Sequence, residues 1–252
     1  MMDEMRSDAA EAGPPTFWSP AATVGWALVV MTAFVTVQIV VVIGWVIVVS
    51  ATDNARESSS VLAEVATNGD VLSVSTLASA VICGALVLLL ASAGRHSPPR
   101  ESLALDPPAA STLARWVALT LALIVVSDTL TTLLGKPIVP DFMADIVAST
   151  VLPPLLWVAL IVAAPAFEEL FFRGFLIAGL RQGSVGDAGA IILSSLAWAS
   201  IHIQYGLYEI GTIFVFGAVL GLARVGSRSL WVPVAMHMTA NLVATLEATL
   251  IT

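Results

Sequence analysis

The run from Ala21 to Val49 contains no charged residue. A helix that is apolar on every face over that length belongs in a membrane or a very large core. A bilayer-crossing helix needs about 20 mostly apolar residues, so this run is long enough to span with tilt. Further mostly apolar runs follow at Val71–Ala93, Trp116–Leu134, Leu155–Leu180, Ala188–Tyr205, Leu207–Ala223 and Leu230–Leu250. Apolar residues make up 58% of the chain and charged residues 11%, against about 45–50% and about 25% in soluble proteins. That leaves no material for a soluble domain. The sequence predicts an all-α fold, a polytopic transmembrane helical bundle of about seven to eight helices.

Residues 1–20 read as a flexible, proline-containing N-terminal tail. The acidic N-terminus and the length of the first run do not suit a cleavable signal peptide, so a retained first helix is expected. Leu250-Ile251-Thr252 form no prenylation motif. The stretches Ser50–Asp70, Gly94–Arg115 and Gly135–Asp145 read as loops. Pro153-Pro154 should break or kink the long region Ile146–Leu180 near its start, with the main helix at about Leu155–Leu180. A re-entrant piece or an eighth span before Pro153 would change the parity. Gly217 and Gly221 have the GxxxG spacing that lets helices approach closely.

Charge sets an expected orientation. With seven spans and the N-terminus inside, the inner segments hold Arg6, Arg95, Arg100, Arg115, Arg181, Arg224 and Arg228, and the outer ones only Arg56 and Lys136. The net charge of −8 comes with no basic patch, so nucleic acid is not an expected partner. Cys83 is the single cysteine and reads as a small packing residue. High Ala and Val content without an organellar presequence suggests a bacterial cytoplasmic membrane.

Ionisable residues inside spans are costly and usually mark function. Glu169 and Arg173 lie four apart, glutamate first, the good orientation for an ion pair on one helix face. Glu168 points about 100° away and is free for another neighbour. His237 and Asn241 also share a face, and both can donate hydrogen bonds to an oxygen. His202 lies on the face of Trp198 and of Ser195 or Ser194. Were these helices to converge, one cavity would hold a carboxylate, two imidazoles and an amide. A buried glutamate suits general-base hydrolysis, with His202 sharing the water and His237 and Asn241 stabilising an oxyanion. Glu168, His202 and His237 are equally a legitimate zinc set with an open position, although no HExxH motif is present. The residues alone leave metal against no metal open. Asp128 has no evident partner, whereas Glu209 and Glu247 near span ends are expected to reach the interface. Tyr205 and Tyr208 lie where a site entrance would be.

Glu168-Glu169-Leu170-Phe171-Phe172-Arg173 resembles the EExxxR motif of the CPBP (Abi) intramembrane proteases, which include the type II CAAX prenyl proteases. His202 resembles the histidine of that family's FxxxH motif, with Trp198 in place of phenylalanine, and His237-Met238-Thr239-Ala240-Asn241 fits HxxxN. The resemblance covers roughly residues 154–247. It implies a site within the bilayer, with Glu168 and His202 activating water, His237 and Asn241 forming the oxyanion hole, and Glu169 and Arg173 in support. On this reading residues 21–145 supply N-terminal transmembrane helices and residues 146–252 the catalytic core of a single membrane domain. Substrates would be membrane-associated proteins or peptides, lipidated or C-terminally tailed, met in the lipid bilayer. The family has been described both as metal-dependent and as glutamic, so the cofactor is either none or a divalent metal such as zinc; Asn241 suits an oxyanion hole better than a zinc shell. Buried Glu, Asp and His also suit a proton-coupled transporter, but no internal repeat is evident. A non-catalytic membrane adaptor would have no reason to bear the burial cost of the set.

Overall fold

The computed structural model describes residues 17–52, 58–94 and 98–251. Arg6, Arg56, Arg95, His96 and most of the expected tail lie outside the described residues. Among those described, every regular element is helical: α1 (Pro20–Thr52), α2 (Ser58–Val65), α3 (Gly69–Ala93), α4 (Pro99–Ser102), α5 (Ala110–Leu133), α6 (Asp141–Ser149), α7 (Pro153–Leu180), α8 (Gly186–Ser200), α9 (Leu207–Ser227) and α10 (Trp231–Ile251). Helices α1, α3, α5, α7 and α9 are long and apolar enough to cross a membrane. The protein is a multi-pass membrane protein.

Several boundaries differ from the sequence reading. Phe17 and Trp18, inside the stretch expected to be flexible, are packed. The Phe17 ring meets Phe175 edge-on with centroids 5.3 Å apart, and Trp18 Nε1 donates to the Leu90 carbonyl at 2.9 Å. Short helices α2 and α6 occupy parts of the expected loops. Helix α8 stops at Ser200 instead of continuing to Tyr205, so its 15 residues span roughly 22 Å, short of the ~30 Å hydrocarbon layer. The cause of the stop is local. The Trp198 carbonyl is taken by His202 Nδ1 at 2.8 Å, while the His202 amide turns to Ala199 at 3.1 Å. His202 therefore sits in the turn beyond the helix, not within a span.

Helix α7 is the centre of the bundle. The apolar region Ile146–Leu180 is broken between Ser149 and Pro153, as expected, and Pro153 and Pro154 stand in the first turn of α7, where a missing N–H costs nothing, so the helix starts two residues earlier than the expected Leu155. Its start is held by the first turn of α3. Asp70 accepts from the Val151 and Leu152 amides, each at 3.1 Å. Asn68 caps α3 by accepting from the Val71 amide at 2.9 Å. A Cβ on Gly69 would overlap the Thr150 side chain and the Ile146 carbonyl, which explains a glycine at this crossing.

From Phe171 to Leu180 every residue of α7 is buried. Phe171, Phe172 and Phe175 form the middle of the core with Cys83, Val87, Leu103, Leu220 and Met236. Helices α8 and α9 pack as a close pair because Gly217 and Gly221 face α8. A Cβ on Gly221 would come within 2.8 Å of Ile191, and one on Gly217 within 2.9 Å of Trp198.

Candidate active site

Glu168 and Glu169 sit where α7 changes winding. Residues Val158–Ala163 and Glu169–Leu176 are π-helical, a wide turn often found at functional sites. Adjacent in sequence, the two glutamates have different surroundings.

Glu169 is fully buried with Arg173. Its Oε1 accepts from Arg173 Nη1 at 2.8 Å and from His237 Nδ1 at 2.8 Å. A single charge at mid-membrane costs from about 2.5–3.5 kcal/mol, and the pairing offsets much of that for both partners. The i,i+4 pair is as the sequence expects; the bond to His237, from α10, is not foreseeable from helix spacing. Arg173 Nη2 also donates to the Gly217 carbonyl at 3.3 Å, and its guanidinium lies 4.4 Å over the Trp198 ring. Glu169 Oε2 and Arg173 Nε have no hydrogen-bond partner among the described residues.

Glu168 is half-buried and faces the other way. Its Oε2 accepts from Trp198 Nε1 at 2.6 Å. Helix α8 is tied to the α7 backbone beside it, through Ser194 Oγ donating to the Phe172 carbonyl at 2.9 Å.

Both imidazoles are oriented through Nδ1. A carbonyl only accepts, so His202 donates Nδ1–H to Trp198 and keeps its lone pair on Nε2. His237 donates Nδ1–H to the Glu169 carboxylate, with the same result. This refines the expectation that His237 donates freely: its Nε2 donates only when the ring is doubly protonated.

Asn241 Nδ2 donates to the Leu160 carbonyl at 2.8 Å. The reason lies in α7. In a π turn the carbonyl of residue 160 is aimed at the amide of residue 165, and that residue is Pro165, which has no N–H. Asn241 satisfies this orphaned carbonyl. An amide has two donors, so one N–H remains for other work.

A cavity of about 1100 Å³ is lined by Glu168, His202, His237 and Asn241, together with Trp198 and Tyr205. The four candidate residues thus share one space, while Glu169 and Arg173 lie behind it. Burial, with the Glu168 carboxylate adding to it and a hydrogen bond with Gln204 opposing, pushes the Tyr205 phenol up to about 12. At neutral pH it remains a donor, with its ring centroid 6.2 Å from that of His202. Asp128 of α5 and Glu247 of α10 line the same cavity, as does Glu209. The signal for Asp128 and Glu247 was a lone acid in an apolar run. Tyr208 is tied down by Thr131, oxygen to oxygen at 2.7 Å.

The donor types of Glu168, His202 and His237, with each Nε2 open, are those a zinc ion takes. As placed they do not fit one: among the described residues no three His, Cys, Asp or Glu side chains form a group that could hold an ion.

With this geometry in hand, the similarity to known proteins is informative. Residues 150–243 match the family model described as type II CAAX prenyl endopeptidase Rce1-like. A stretch of 117 residues is 32% identical to an uncharacterized 24.3 kDa protein of Escherichia coli, covering 43% of this chain and 54% of that protein. The chain thus spans about half the length of that curated relative. No solved structure matches it significantly.

Proposed function

We propose, from the match of residues 150–243 to the Rce1-like type II CAAX prenyl endopeptidase family model, that the chain is an intramembrane endopeptidase acting on membrane-associated, lipidated or C-terminally tailed proteins. The observation that carries this reading is the single cavity walled by Glu168, His202, His237 and Asn241.

In the proposed reaction Glu168 takes a proton from water as the water oxygen attacks the scissile carbonyl. His202 Nε2 accepts a hydrogen bond from the other water O–H, which stays on the attacking oxygen, and orients the nucleophile. The spare N–H of Asn241 and the Nε2–H of doubly protonated His237 meet the oxyanion, with Glu169 as the counter-charge for the imidazolium. Glu168 then returns its proton to the leaving amine as the C–N bond breaks. A positioned general base contributes about 10²–10⁴-fold and each oxyanion donor about 10²–10³-fold. Apolar cavity walls such as Leu123, Ile124, Leu160 and Val219 suit an apolar tail. We place the protein in a bacterial cytoplasmic membrane and its catalysis in the glutamic, metal-free class; activity that survives a strong chelator is the expected result, and loss restored by zinc would reverse the assignment.

The test compares protein termini in membrane and secreted proteomes of parent cells and cells carrying Glu168→Ala at equal abundance. Particular termini should vanish and uncut precursors accumulate, after which purified protein is tested on them. An unchanged set of termini under expressing conditions would count against a protease. One further reading, proton-coupled transport, draws on Asp128 and Glu247 in the cavity wall. Substrate-dependent proton flux in vesicles that persists in Glu168→Ala would favour it.

A further inference from the structure

We propose that Trp198 is a positioning residue that holds Glu168 in its reactive orientation, through an indole N–H that the phenylalanine of the related motif cannot supply. The proposal rests on the reading of Glu168 as general base and adds a part to it.

The terminal torsion of a glutamate is broad and roughly two-fold, so a half-buried carboxylate beside a cavity presents either oxygen to a water. Here one oxygen is committed. Trp198 Nε1 donates to Glu168 Oε2 at 2.6 Å, which leaves Oε1 to receive the proton. The donor itself cannot swing. The Trp198 side chain is buried, the Arg173 guanidinium covers its face at 4.4 Å, and the His237 and His202 rings meet it edge-on, each with centroids 5.2 Å apart. Gly217 of α9 lets the ring sit against backbone, since a Cβ there would come within 2.9 Å of it.

The same residue's carbonyl accepts from His202 Nδ1 at 2.8 Å. One tryptophan therefore orients the carboxylate through its side chain and the imidazole through its backbone. Phenylalanine would preserve the backbone contact and most of the ring packing, and would lose only the N–H. Trp198→Phe is thus a clean deletion of one hydrogen bond to Glu168.

The experiment measures cleavage of a fluorogenic farnesylated peptide with a CAAX end by the purified full chain in nanodiscs, for parent, Trp198→Phe and Glu168→Ala. The expected result is no cleavage by Glu168→Ala, and a kcat about tenfold lower for Trp198→Phe with KM within about twofold, as for a misaligned group that does not bind substrate. The melting temperature of Trp198→Phe should stay near that of the parent. Parental kcat in Trp198→Phe beside an inactive Glu168→Ala overturns the positioning role and leaves the protease reading standing. A loss in Trp198→Phe that appears as raised KM or a lowered melting temperature overturns it too, in favour of packing alone. Cleavage by Glu168→Ala at the parental rate, or none by the parent, removes the base assignment and this inference with it. Resonance Raman reads the contact without substrate: Glu168→Ala should shift the indole band that Trp198→Phe removes, and an unshifted band overturns the hydrogen bond itself.

Discussion

Helices α1 and α7 are both long enough and apolar enough to cross a bilayer, yet they do opposite work. Over its 33 residues α1 buries only Thr23 and Val30 and turns Leu28, Ile39, Val40, Ile43 and Ile47 outward. Helix α7 buries Glu169, Arg173 and four phenylalanines, Phe167, Phe171, Phe172 and Phe175. Apolarity decides whether a helix enters the membrane. Polar groups that must find partners inside decide which helix the others assemble around. In lipid the outward face of α1 gains nothing by turning inward, whereas an ion pair on α7 cannot face outward at all.

The strongest way to break this comparison is at Glu168. Glu168→Gln keeps shape but removes the base, and cleavage should fall by about 10²–10⁴-fold with the melting temperature unchanged; residual activity near the parent's would mean that α7 is not the reactive helix. Next is the buried pair. Glu169→Ala leaves Arg173 uncompensated, and a destabilisation of about 3–5 kcal/mol is expected, read by thermal or denaturant unfolding in detergent. Replacing both partners, Glu169→Leu with Arg173→Met, should recover most of that stability without restoring cleavage, because His237 still lacks its Nδ1 acceptor. Recovery of both would reduce Glu169 to a packing role.

A smaller effect is expected at the junction that starts α7. Asp70→Ala leaves two amides, of Val151 and Leu152, without their acceptor, for a loss of about 1–3 kcal/mol. A protein as stable as the parent would show that the α3 contact does not set the helix start. The smallest belongs to α1. Ile43→Ala on the outward face should change stability by under about 0.5 kcal/mol. A loss of about 2–5 kcal/mol, as in a core, would mean that this face is covered by protein and that the contrast with α7 is false.

Much of the architecture was legible in the residues. Long, mostly apolar runs predicted the spans of α1, α3, α5, α7 and α9, because a bilayer imposes length and apolarity on each segment separately. Spacing within one helix was equally readable. The Glu169–Arg173 pair and the close approach at Gly217 and Gly221 follow from which residues share a face. The expected helical path through His202 failed because His202 competes with the backbone for the Trp198 carbonyl, a local choice that apolar patterning does not register.

What tertiary structure alone decided is every contact between helices at the site. Nothing in the spacing says that Glu169 meets His237 across 68 positions, that Trp198 donates to Glu168 across 30, or that Asn241 serves the carbonyl opposite Pro165. A sequence determines the faces of each helix, because the backbone period is a local property. How those faces are turned toward one another depends on the packing of all the helices at once, so the pairing of buried polar groups could be read only from the assembled bundle.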